Sequence, residues 1–123
     1  MNKTLLTVAS AIAVTLSACN SNKMEQNPFL AEYTTQYEIP PFEQIKYEHY
    51  LPAVKAGIEA QNAEIDSIIA NPATPDFENT ILALDNSGQL LNKVAYVFFA
   101  LSESDYTPEM QELTPEISSR YTA

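Results

Sequence analysis

Asp76–Ser102 reads DFENTILALDNSGQLLNKVAYVFFALS, and the spacing of its apolar residues decides the fold class. Phe77, Ile81, Leu84, Gly88, Leu91, Ala95 and Phe98 follow one another at alternating steps of four and three. That is the repeat of one helix face, so a helix is predicted over about Phe77–Ser102. Asp76 suits the N-cap, where its carboxylate accepts from free N–H groups of the first turn. Glu78 adds negative charge at the positive end of the helix dipole. Gly88 lowers helix propensity but falls on the apolar face, where a missing side chain lets another backbone come close; the helix is expected to continue through it. Val94–Leu101 (VAYVFFAL) is uncharged and apolar all round. Such a run is buried on several sides, and two flanking helices are expected to cover it incompletely, which points to an absent packing partner. Exposed, it would suit an aggregating strand.

Helical patterns flank this stretch. Over about Tyr47–Ala70, Leu51, Val54, Ile58, Ile65 and Ile68 share a face, while Glu59, Gln61, Asn62, Glu64 and Asp66 are expected to be wet. Pro52 is assigned to the first turn, where a missing N–H costs little, and Asn71-Pro72 supplies the stop. The last pattern opens with Thr107 as cap and Pro108 as first helical residue, with Glu109 and Glu112 following. Met110, Leu113 and Ile117 form its apolar stripe, and Pro115 is expected to kink or split it. Pro40-Pro41 marks an extended segment before the first helix. The expected fold is therefore all-α, with about three helices.

Toward the N-terminus the chemistry changes. Lys3 precedes the uncharged run Leu5–Leu16 (LLTVASAIAVTL), too short to span a bilayer and of the form of a secretory signal. Leu16-Ser17-Ala18-Cys19 resembles the bacterial lipobox, in which the cysteine thiol takes diacylglycerol. Two or more chains on Cys19 would anchor the protein stably, at about 0.8 kcal/mol per buried methylene. Asn20–Asn27 reads as a polar tether. The expected organisation is a signal peptide over 1–18, lipidated Cys19 and tether over 19–27, and a helical domain over 28–123, exported and held at the periplasmic or cell-envelope side.

Composition narrows the function. The chain has 123 residues, sixteen Asp and Glu against six Lys and Arg, and a net charge of −10. An acidic chain is a poor partner for nucleic acid or for an anionic membrane surface, so any membrane attachment rests on hydrocarbon. A single cysteine makes no internal disulfide. One histidine, His49, excludes the paired histidines of a zinc-binding HExxH helix within the chain. His49 reads as a structural or surface residue. No serine sits in a G-x-S-x-G turn, and two glycines exclude a glycine-rich phosphate loop. The carboxylates read as a solvated surface and the tyrosines as packing residues. No catalytic, metal or cofactor-binding residue is assigned; the one site residue is Cys19, for lipid.

Short strings in order carry a family resemblance: Asn27-Pro28-Phe29-Leu30, Pro40-Pro41-Phe42-Glu43-Gln44-Ile45-Lys46, Glu48-His49-Tyr50, Asn71-Pro72, Phe77-Glu78-Asn79-Thr80, Ser87-Gly88 and Phe98-Phe99. Together they resemble the N-terminal region of the thimet-oligopeptidase-like zinc peptidases, in the bacterial peptidyl-dipeptidase and oligopeptidase A branch. The resemblance runs from about Asn27 to the last residue. It implies a helical lobe of a much longer zincin-type enzyme, whose channel admits short peptides and whose zinc is held by an HExxH helix and a further glutamate. Members of the branch release C-terminal dipeptides or cut internally. None of those catalytic positions has a counterpart here, so this chain is expected to bind no zinc and to supply channel wall, with the C-terminal lobe as missing packing partner.

Three readings follow. The chain is a truncated piece of a lipoprotein zinc peptidase, as the abrupt Arg120-Tyr121-Thr122-Ala123 end suggests. Alternatively it is a free-standing helical lipoprotein that binds or scaffolds. Or it is half of a split enzyme whose other half docks on the helix containing Phe98.

Overall fold

The computed structural model describes residues 27–122, and all regular elements among them are helical. Three long helices build the fold: α1 (Tyr47–Ile69), α3 (Gln89–Ser104) and α4 (Pro108–Tyr121). Between the first two, a π-helical segment, Phe77–Leu82, runs into the short α2 (Ala83–Asp85). Single 3-10 turns lie at Pro28–Leu30 and Gln36–Glu38. The signal run and Cys19 lie outside the described residues.

The core forms where α1, α3 and α4 meet the first 3-10 turn. Its largest fully enclosed side chains are Phe29, Tyr50, Val54, Val94, Phe98, Met110 and Ile117. An aromatic relay crosses it, with ring centroids 5.1 Å apart for Phe29–Tyr50, 5.3 Å for Tyr50–Phe98 and 5.5 Å for Phe98–Phe99. Tilted and edge-on pairs of this kind contribute about 0.5–1.5 kcal/mol each beyond the area they bury.

In α1 the buried face is Tyr50, Ala53, Val54 and Gly57. Of the expected stripe, only Val54 is fully buried; Leu51, Ile58, Ile65 and Ile68 are half-covered. Two small residues explain the rotation. A Cβ placed on Gly57 would stand 2.8 Å from the Leu91 Cα and 2.9 Å from its N. The crossing with α3 is thus centred on Ala53 and Gly57, and the larger aliphatics flank it. Pro52 lies in the second turn of α1 rather than the first. It and Glu48, whose carbonyl loses a helical partner, are both exposed.

The expected continuous helix from Phe77 to Ser102 is broken at Asn86-Ser87-Gly88. Gly88 has φ +72°, a left-handed conformation that glycine adopts without steric cost. Ser87 donates from its hydroxyl to the Leu84 carbonyl at 2.8 Å, and its N–H donates there at 3.1 Å. The Gly88 N–H instead donates to Glu64 Oε2 on α1, at 2.7 Å. These bonds end one helix and start another, so Gly88 serves chain direction and Gly57 serves close approach.

Val94, Ala95, Val97 and Phe98 are buried, and Phe99 and Leu101 half-buried. Within Val94–Leu101 only Tyr96 and Ala100 stay exposed. The chain therefore covers most of this run itself, because Phe29 and α4 close the sides that α1 leaves open. Thr107 caps α4, its Oγ1 accepting from the Met110 N–H at 3.3 Å. Pro115 does not split α4, which is continuous from Pro108 to Tyr121. Pro115 and Gln111 are exposed, while Met110 and Ile117 anchor the opposite face.

Candidate functional site

Cys19, the lipid-attachment residue read from the sequence, falls outside the described residues. His49 is half-buried at the start of α1. Its Nδ1 accepts from the Lys46 N–H at 3.1 Å, and its backbone N–H donates to the Lys46 carbonyl at 2.9 Å. Its own carbonyl accepts from Asn27 Nδ2 at 2.8 Å. His49 is thus a helix-capping residue that also receives the N-terminal segment.

Asn27 is 2% exposed and works at both ends: its Oδ1 accepts from the Phe29 N–H at 3.1 Å while its amide holds His49. This seats Phe29 in the core. Lys93 of α3 completes the clamp. Its Nζ donates to the carbonyls of Phe29 at 3.1 Å and Ala31 at 2.7 Å, and sits 3.8 Å over the Tyr33 ring. Burial lowers the Lys93 pKa, with Glu32 opposing in part, and burial raises that of Tyr33. The ammonium is engaged by backbone oxygens and an aromatic face, so it is a structural cation. Sequence reasoning missed this clamp because its partners are backbone carbonyls more than sixty residues away, which no side-chain spacing encodes.

Two cavities lie at the ends of the core. One, about 290 Å³, is lined by Phe42, Ile45, Tyr47, Tyr50, Leu101, Asp105 and Met110. The Tyr47 hydroxyl hydrogen-bonds Thr107 Oγ1 at 2.8 Å. Burial pushes the Tyr50 phenol up to about 12, with the charges of Tyr47 and Tyr33 adding to the rise. The cavity's walls are mixed, with apolar side chains beside the Tyr47 and Tyr50 phenols, and its single carboxylate is Asp105; no nucleophile–base pair lines it. The other, about 400 Å³, is an open depression beside Leu30, Glu32, Gln89 and Lys93.

The zinc implied by the resemblance finds no fitting ligands in these residues. Among the described residues no three His, Cys, Asp or Glu side chains gather closely enough to hold a metal ion. The one imidazole has its Nδ1 engaged in the α1 cap. No chemical step is assigned to a metal here. No described helix is long and apolar enough to cross a membrane.

No protein-family model matches the chain. Individual relatives do. The chain is 46% identical over 93 residues to the dipeptidyl carboxypeptidase of Escherichia coli K12, covering 76% of this chain and 14% of that protein. It is 41% identical over 100 residues to the dipeptidyl carboxypeptidase of Salmonella typhimurium, covering 81% of this chain and 15% of that protein. Oligopeptidase A of Salmonella typhimurium is 29% identical over 86 residues, 70% of this chain and 12% of that protein. The matched chain thus spans about one seventh of the dipeptidyl carboxypeptidases' length. On these matches the chain belongs to the peptidyl-dipeptidase and oligopeptidase A branch of the thimet-oligopeptidase-like peptidases, as a small helical part of that architecture.

Proposed function

We propose that the chain is part of a lipid-anchored zinc peptidase that removes dipeptides from the C-termini of short peptides, and that α1, α3 and α4 supply wall to its substrate channel. The zinc site and the catalytic groups belong to a part of the enzyme outside these residues. Lipid on Cys19 holds the protein at the periplasmic or cell-envelope side, where peptide trimming serves nutrition. The observation that carries this reading is the 46% identity over 93 residues to a dipeptidyl carboxypeptidase. The clamp that Asn27 and Lys93 make around Phe29, a purely structural use of polar side chains, supports a walling role.

One observation favours a free-standing helical module as the second reading: Val94, Val97 and Phe98 are covered within the chain itself. A single experiment separates the two. Residues 27–122 replace the matched segment of the Escherichia coli dipeptidyl carboxypeptidase, and dipeptide release is measured. A peptidase part restores activity to within about tenfold of the parent. A soluble, folded chimaera that releases no dipeptide refutes the peptidase reading and leaves the module.

A further inference from the structure

The segment between α1 and α3 packs against the usual helix pattern. A helix lying on a core turns its apolar side inward and its polar side out. Here the order is reversed. Asn79, Thr80 and Ala83 are the half-buried positions of the segment, while Phe77, Ile81 and Leu84 are 64%, 55% and 54% exposed. Leu82 adds an edge at 41%. The reversal is built in. Asn79 is held by its own cap, its Oδ1 accepting from the Asp76 N–H at 2.9 Å and its Nδ2 donating to the Thr74 carbonyl at 2.9 Å. Asp76 Oδ1 answers by accepting from the Asn79 N–H at 2.7 Å. At the far end, Gly88 is tied to Glu64. Both ends being fixed, the segment holds three large apolar side chains in water.

Charge says what kind of surface covers them. From Ala56 to Asn92 the chain carries six carboxylates and no Lys or Arg. Asp76, Glu78 and Asp85 stand exposed on the segment itself. A second copy of this chain would bring the same acidic rim against it, and an anionic lipid surface would be repelled likewise. A cationic rim around an apolar patch is the complement.

We infer that the outward face of Phe77, Ile81 and Leu84 is a docking surface for the remaining body of the peptidase, received there by an apolar patch ringed with Lys or Arg. The inference rests on the peptidase reading above, and moves the contact from the helix containing Phe98, whose own side chain is fully enclosed, to the segment before it. Ile81→Cys reports it, in the full chain carrying Cys19→Ala and in the chimaera, by the rate of maleimide labelling read peptide by peptide. In the isolated chain the introduced thiol is expected to label as fast as a free one, and in the active chimaera at least tenfold slower. Glu78→Lys with Asp85→Lys in the chimaera should recover most of the free rate. An inactive chimaera removes the peptidase reading, and this inference with it. An active chimaera labelled at the free rate overturns the docking surface alone. Protection that survives the double charge reversal overturns the cationic rim. Protection of the isolated chain that grows with its concentration, or on adding phosphatidylglycerol vesicles, would make a second copy or lipid the occupant and overturn the proposal.

Discussion

Gly57→Ala tests the geometry on which the fold is centred. In an exposed helix interior, glycine to alanine stabilises by about 1 kcal/mol through backbone entropy. At Gly57 the new methyl would lie 2.8 Å from the Leu91 Cα, 2.9 Å from its N and 3.0 Å from its Cβ. Two of those atoms are backbone, so no side-chain rotation relieves the clash, and α3 must move away from α1. Overpacking of this kind costs about 1–3 kcal/mol, and a backbone obstacle places it at the upper end. Subtracting the propensity gain leaves a net loss of about 2 kcal/mol. For a domain of this size, that lowers Tm by about 8–16 °C. Thermal unfolding followed by circular dichroism measures it, with Ala63→Gly on the exposed side of α1 as the control that shows the propensity effect alone, a loss of about 1 kcal/mol. If Gly57→Ala is neutral or raises Tm, α1 and α3 do not cross at this point and the packing account is wrong.

Phe98→Ala should cost about 3–5 kcal/mol, because the side chain is fully enclosed between Tyr50 and Phe99; urea unfolding reads the loss. Gly88→Ala should cost about 1 kcal/mol or somewhat more from its left-handed backbone, and Gly88→Asn less, as a shift of the same urea midpoint. Tyr50 holds its proton more tightly folded than unfolded, so its contribution to stability is complete below the ordinary phenol value of 10.0 and drains away as pH rises toward about 12; an absorbance titration should show a phenol ionising last, with unfolding. Cys19→Ala should release the expressed protein from membranes into the soluble fraction; continued sedimentation with membranes removes the lipid reading.

Local chemistry was legible from the residues alone. Asp76 and Thr107 cap their helices as their side chains dictate, since each bond spans three residues. The apolar periods around Tyr47–Ile69 and Met110–Ile117 are read from neighbours three and four apart, so helix type and rough bounds followed. The turn at Asn86-Ser87-Gly88 was also written in a string of turn-forming residues. An apolar period that continues across it outweighs that signal, because the spacing of residue types registers neither a change of chain direction nor which side of each helix meets the core.

The candidate site was less legible. Absence of paired histidines could be counted in the sequence, whereas the cavity between Tyr50, Leu101 and Met110 joins three elements far apart in the chain. Sequence by itself determined that this chain is helical, acidic, without an HExxH helix, and akin to the peptidyl-dipeptidases, because these depend on residue identity and near-neighbour spacing. Only the tertiary structure decided which glycine admits a neighbouring backbone, that Lys93 directs its charge to the Phe29 and Ala31 carbonyls, and that Phe77, Ile81 and Leu84 face outward. Those outcomes depend on what each side chain meets across the fold, and long-range contacts leave no mark in the spacing of residues along one helix.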